Sequence, residues 1–137
     1  RVKANAVAVV DANRDGRPDL FFGGDKVSSL WINQGNGRFA DESAARLPAT
    51  YGGTQDVAVG DIDGDGDPDL VLANEDRNQI YVNDGKGNFT VRPVLPPAGG
   101  PEESRDAELL DVDGDKDLDL FLANVQFWNP RARPASR

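Results

Sequence analysis

The chain matches itself at an offset of fifty residues, and the matching stretch is acidic. Asp61-Ile62-Asp63-Gly64-Asp65-Gly66-Asp67-Pro68-Asp69-Leu70 places five aspartates at alternate positions. Fifty residues earlier stands Asp11-Ala12-Asn13-Arg14-Asp15-Gly16-Arg17-Pro18-Asp19-Leu20, and fifty later Asp111-Val112-Asp113-Gly114-Asp115-Lys116-Asp117-Leu118-Asp119-Leu120. A repeat of this length restricts the fold strongly. Each copy is one supersecondary unit that cannot bury its apolar face alone, so the copies must stack.

Short apolar runs bracket each acidic stretch. Val7-Ala8-Val9-Val10, Val57-Ala58-Val59-Gly60 and Ala107-Glu108-Leu109-Leu110 precede it; Leu20-Phe21-Phe22, Leu70-Val71-Leu72 and Leu120-Phe121-Leu122 follow. Runs this short, rich in β-branched and aromatic residues and bounded by Asp, Asn and Gly, read as buried strands. A third strand is expected at Ser29-Leu30-Trp31-Ile32 and Gln79-Ile80-Tyr81-Val82. It leads into Asn33-Gln34-Gly35-Asn36-Gly37-Arg38-Phe39 and Asn83-Asp84-Gly85-Lys86-Gly87-Asn88-Phe89. Asn and Gly there supply the positive φ of a tight hairpin, and a fourth strand starts at Phe39 and Phe89. Helix is limited to one turn within 41–46. The expectation is an all-β chain built of four-stranded antiparallel units: repeat one over 1–50, repeat two over 51–103, an incomplete repeat three over 104–129 and a basic tail over 130–137. Gln126-Phe127-Trp128-Asn129 is the third strand of repeat three, and the tail replaces its glycine turn and fourth strand.

The acidic stretch itself demands a counter-cation. Oxygens at alternate positions around a glycine turn are the donor set of a hard cation, and flexible carboxylates suit Ca²⁺ better than Mg²⁺. A helix-flanked calcium loop needs a bidentate Glu at position 12, but position 12 here is Phe22, Leu72 or Leu122, each inside a strand. The loop is therefore closed by the aspartate at position 9. The expected donors in loop two are Asp61, Asp63, Asp65 and Asp69 with the carbonyl of Asp67, whose side chain points to water. In loop one they are Asp11, Asn13, Asp15 and Asp19 with the carbonyl of Arg17. In loop three they are Asp111, Asp113, Asp115 and Asp119 with the carbonyl of Asp117. Loop one has one carboxylate fewer, and loop three puts Lys116 where a left-handed glycine belongs, at a cost of about 1 kcal/mol. Loop two ranks first of the three.

These loops, with Leu70-Val71-Leu72-Ala73-Asn74 and the turn at 83–89, resemble FG-GAP/VCBS-type repeats, the blades of integrin-α-like β-propellers common in secreted and surface proteins. The resemblance covers roughly residues 5–129. It implies four-stranded propeller blades, about 2.7 of them here, with Ca²⁺ in the loop joining the first two strands of each, hence about three ions. It also implies an extracellular or cell-surface location. It departs from the family pattern at Lys116 and at the end of repeat three. Fewer than three blades cannot close a ring, so the chain is read either as part of a longer precursor or as a unit that self-assembles, two copies giving six blades.

Composition narrows the function. The formal net charge is −9, and thirteen aspartates sit in the three loops, so the acidity is local. Nucleic acid, which needs clustered Lys and Arg, is not an expected partner. The chain has no Cys and no His, which removes thiolate and imidazole ligands and the commonest general base. No stretch approaches the length of a membrane span, and no signal peptide is visible. The leading expectation is a non-catalytic calcium-stabilised module for protein or carbohydrate binding or adhesion. Trp31, Tyr81, Phe127 and Trp128 either stack on a sugar or fill the space between blades. The alternatives are part of a polysaccharide-degrading, lyase-like propeller, with Tyr51 or Tyr81 as base, and a helical dockerin-type module.

Overall fold

The computed structural model describes residues 3–49, 53–93 and 103–125. Strands dominate it, as the alternating apolar runs require. The first sheet takes β1 (Ala6–Val10), β2 (Asp19–Gly23), β3 (Ser29–Gly35) and β4 (Arg38–Asp41) in sequence order. One helical turn, α1 (Ser43–Arg46), follows. The second sheet repeats the pattern with β5 (Thr54–Gly60), β6 (Asp69–Asn74), β7 (Gln79–Asn83) and β8 (Phe89–Pro93). Among the described residues the third sheet has β9 (Glu103–Leu110) and β10 (Asp119–Val125). Every pairing is antiparallel. The strand expected at 126–129 and the basic tail lie outside the described residues. Each acidic loop joins the first two strands of a sheet, so the helical dockerin alternative is excluded.

The register explains the stacking. Val9 pairs with Leu20 and Leu20 with Trp31, while Ala8 pairs with Phe21 and Phe21 with Leu30. The two rows lie on opposite faces, because successive side chains alternate across a strand. The row with Ala8, Phe21 and Leu30 is buried against Leu70, Leu72, Tyr81 and Phe89 of the second sheet. The opposite face of the second sheet, with Val71 and Ala73, packs on Ala107, Leu109, Leu120 and Leu122 of the third. The sheets thus stack face to face like the blades of a propeller that is not closed. Phe21 and Tyr81 meet edge to face across the first interface, with centroids 6.4 Å apart. At the second, Gly60 fits where a Cβ would come within 2.6 Å of Leu118 and 2.9 Å of Leu109.

Tyr81 is fully buried, and its hydroxyl has no hydrogen-bond partner among the described residues. Burial pushes its pKa up and keeps its hydroxyl away from a substrate at the surface. The residue fills the space between two blades. Since an unsatisfied buried hydroxyl costs about 1–3 kcal/mol, Tyr81→Phe is expected to raise stability by about 1 kcal/mol. Urea denaturation checks this, with an unchanged m-value as the sign that packing is kept.

Candidate metal centre

Each acidic loop is first of all a set of hydrogen bonds to its own backbone. In loop two, Asp61 accepts from the amides of Gly64 (2.8 Å) and Gly66 (2.9 Å), and Asp65 from the amide of Asp67 (2.9 Å). Loop three copies this: Asp111 accepts from Gly114 (2.7 Å) and Lys116 (3.0 Å), and Asp115 from Asp117 (2.9 Å). In loop one Asp11 accepts from Asp15 and Gly16, and Asp15 from Arg17. Short polar side chains bonding to amides a few residues on hold such turns. The position-6 residue is left-handed in all three loops, with φ of 82° at Gly16, 87° at Gly66 and 80° at Lys116. Lys116 therefore takes the strained conformation that its place in the repeat requires.

The position-9 aspartates do something further. Asp69 is fully buried; one oxygen accepts from the Ile62 amide (2.9 Å) and the other from the Asn83 amide (2.8 Å). Asp19 does the same with Ala12 (3.0 Å) and Asn33 (2.8 Å). Asp119 accepts from Val112 (3.1 Å). These carboxylates pin the start of the loop, and in blades one and two they tie it to the third strand. Burial raises the pKa of Asp69, the two amide bonds oppose that, and the charges of Asp63 and Asp65 add to the rise. Asp19 is raised for the same reasons, with Asp15 and Asp11 as the repelling neighbours.

What is left for a cation differs between loops. One carboxylate oxygen each from Asp61, Asp63 and Asp65 lie within 4.8 Å of one another, and so do those of Asp111, Asp113 and Asp115. Three convergent hard oxygens in a turn already formed fit a hard divalent cation. Asp69 stands outside that group; its oxygens each keep one lone pair beyond their amide bond. In loop one the guanidinium of Arg17 sits 2.5 Å from Asp15, and Asn13 donates to the same carboxylate oxygen. Desolvation works to raise the pKa of Asp15, but the Arg17 amide, Asn13 and the Arg17 charge outweigh it and hold the group below its ordinary value. A side-chain cation thus already occupies part of loop one, and that donor set fits a metal ion poorly.

Asp67 departs from expectation. Its side chain was expected in water; instead it binds Arg14 of the preceding blade at 2.7 Å. Blade stacking places the two loops side by side, which spacing within one loop does not reveal. Asn83 is the other residue that loop reading passes over. Its amide donates to Ala12 of blade one (2.9 Å) and Pro68 (3.1 Å) and accepts from Gly85 and Gly87 (both 3.1 Å). The signal was present in its recurrence as Asn33, which donates to Pro18 and accepts from Gly35.

Comparison with curated proteins and with solved structures gives no significant match. A family model for the FG-GAP-like repeat matches twice, over residues 11–72 and 61–122. Each match runs from one acidic loop into the strand after the next, so it spans one full repeat and the start of the following one. With the loops, the four-stranded sheets and their stacking all at this period, the chain belongs to the FG-GAP-like repeat family.

Proposed function

We propose that this chain is a non-catalytic, calcium-stabilised β-propeller module that acts outside the cell in binding or adhesion to protein or carbohydrate. The observation that carries the reading is the convergence of the Asp61, Asp63 and Asp65 oxygens, repeated at Asp111, Asp113 and Asp115. A bound Ca²⁺ would neutralise each group, with the carbonyl of Asp67 or Asp117 and the position-9 aspartate within the same loop. The residues organise the site without chemistry: position 1 fixes the turn, position 9 fixes the turn to the sheet, and positions 1, 3 and 5 face the ion. Extracellular calcium modules work at about 10⁻⁴–10⁻³ M, which matches loops of this exposed kind and supports a location where the ion is abundant. Tyr81 is buried between two blades, so the reading gives recognition of a partner to the loops.

Calorimetric titration tests the metal assignment. Loops two and three are expected to bind Ca²⁺ at about 10⁻⁴–10⁻³ M, loop two the more tightly, and loop one more weakly than either. Asp65→Ala removes the loop-two site and Asp115→Ala the loop-three site. Arg17→Ala frees Asp15 and tightens loop one by about tenfold, because affinity in such loops follows the net ligand charge. Absence of binding heat up to about 10 mM Ca²⁺, or heats unchanged by Asp65→Ala, contradicts the assignment.

A further inference from the structure

Two guanidinium groups reach loop two from different places. Arg14 comes from loop one and bonds the Asp67 side chain at 2.7 Å. Arg92 comes from β8 and stands 3.6 Å from the Asp63 carboxylate. In the sheet Arg92 pairs with Ile80, and Ile80 packs against the cluster shared with blade three. Paired residues share a face, so Arg92 leaves β8 on the face away from blade one. Loop two is therefore held by one cation from the preceding blade and one from its own outer strand.

The two pairs differ in what a metal ion would ask of them. Asp67 is expected to give the ion its carbonyl, so Arg14 can keep the Asp67 side chain whether the ion is bound or not. Asp63 gives a carboxylate oxygen, one of the three that lie within 4.8 Å of one another. A divalent cation in that group repels a guanidinium held on the same carboxylate. Arg92 can yield: its side chain is 54% exposed, and at 3.6 Å the pair lies beyond hydrogen-bond distance. Arg17 in loop one is fixed more firmly, 2.5 Å from Asp15 and with its Nε donating to the Asn33 carbonyl.

The repeat itself does not supply Arg92. The fifty-residue offset turns it into Glu42, whose carboxylate takes Arg46 at 2.6 Å. It turns Arg17 into Asp67. Loops one and two thus each place a guanidinium on a carboxylate of the donor set, from positions the repeat does not share. We propose, resting on the calcium reading of loop two, that Arg92 is a tethered counter-cation: it holds Asp63 while the loop is empty and swings into solvent when Ca²⁺ takes that carboxylate. Binding at loop two is then an exchange of cations. Arg92 stabilises the empty loop only, so it weakens calcium binding by the same factor by which it stabilises the calcium-free fold.

Calcium titration and urea denaturation of Arg92→Gln test this, in an Asp115→Ala background that leaves loop two as the strongest site. An exposed ion pair changes an equilibrium constant by roughly two- to fivefold. Arg92→Gln is expected to tighten loop-two binding by that factor and to raise the unfolding constant in EDTA by the same factor. The unfolding constant at saturating Ca²⁺ should not change. Arg92→Lys keeps the charge and should stay close to the parent in all three measurements. A parent chain that binds no Ca²⁺ at loop two overturns the calcium reading and the exchange with it. Parent binding that Arg92→Gln leaves unchanged or weakens overturns the exchange alone. So does a loss of stability equal in EDTA and in Ca²⁺, or an Arg92→Lys variant that behaves as Arg92→Gln.

Discussion

Asp69→Ala is expected to destabilise the chain by about 3–5 kcal/mol already in EDTA, before any loss of bound calcium is added. The carboxylate is fully buried, and its two oxygens take the amides of Ile62 and Asn83. Truncation leaves both amides without a partner, and each buried unsatisfied group costs about 1–3 kcal/mol. The loss is larger than that of one hydrogen bond because water enters such a site poorly. It also spreads: Asn83 reaches Ala12 in blade one, so releasing its backbone loosens the contact between blades. For a chain of this size the melting temperature should fall by roughly 10–20 °C. Asp69→Asn keeps one acceptor oxygen and should lose about half as much. A deficit that appears in calcium and vanishes in EDTA would show instead that Asp69 acts only through the ion.

The position-9 aspartate also shows where sequence reading stops. The offset of fifty and the apolar residue at position 12 were enough to place the strands, the hairpin turns and the antiparallel order. Those follow from local rules: alternation, turn residues and the need of each repeat for a neighbour. The same pattern marked Asp61, Asp63 and Asp65 as a group, since their spacing around glycines brings them together on one turn. It did not separate Asp69 from them. What distinguishes Asp69 is burial against the amides of the loop and the third strand, and burial depends on how the sheet folds over the loop.

Contacts between blades were illegible for a related reason. Arg14 meets Asp67 across 53 residues of sequence, and Asn83 meets Ala12 across 71; both depend on the offset of one blade against the next. Trp31 and Tyr81 occupy equivalent positions, yet Tyr81 is fully buried at an interface and Trp31 is only half-buried. Equivalent positions in a repeat share a backbone but differ in neighbours. Loop one illustrates the same limit within a blade. The sequence shows Arg17 at a position expected to give only its carbonyl, whereas its guanidinium turns onto Asp15 and onto the Asn33 carbonyl at 2.9 Å.

The second large effect is that of calcium on stability. A ligand bound only by the folded state stabilises it by RT ln(1 + [L]/Kd). At about 10 mM Ca²⁺ and dissociation constants of about 10⁻⁴–10⁻³ M, two sites together contribute about 3–5 kcal/mol. The physical source is the charge arrangement. Burial and the repulsion of Asp63 and Asp65 raise the pKa of Asp69, and a cation among these carboxylates offsets that repulsion. Loop one, with Arg17 already on Asp15, contributes least.

The most direct measurement is a thermal melt of the wild-type chain in EDTA and in about 10 mM Ca²⁺, repeated for a double variant Asp65→Ala/Asp115→Ala that lacks one carboxylate in each competent loop. The account predicts that calcium raises the wild-type melting temperature by roughly 10–20 °C and the double variant's by no more than a few degrees. Equal melting of the wild type in EDTA and in calcium, or a shift that the double variant retains in full, would contradict it.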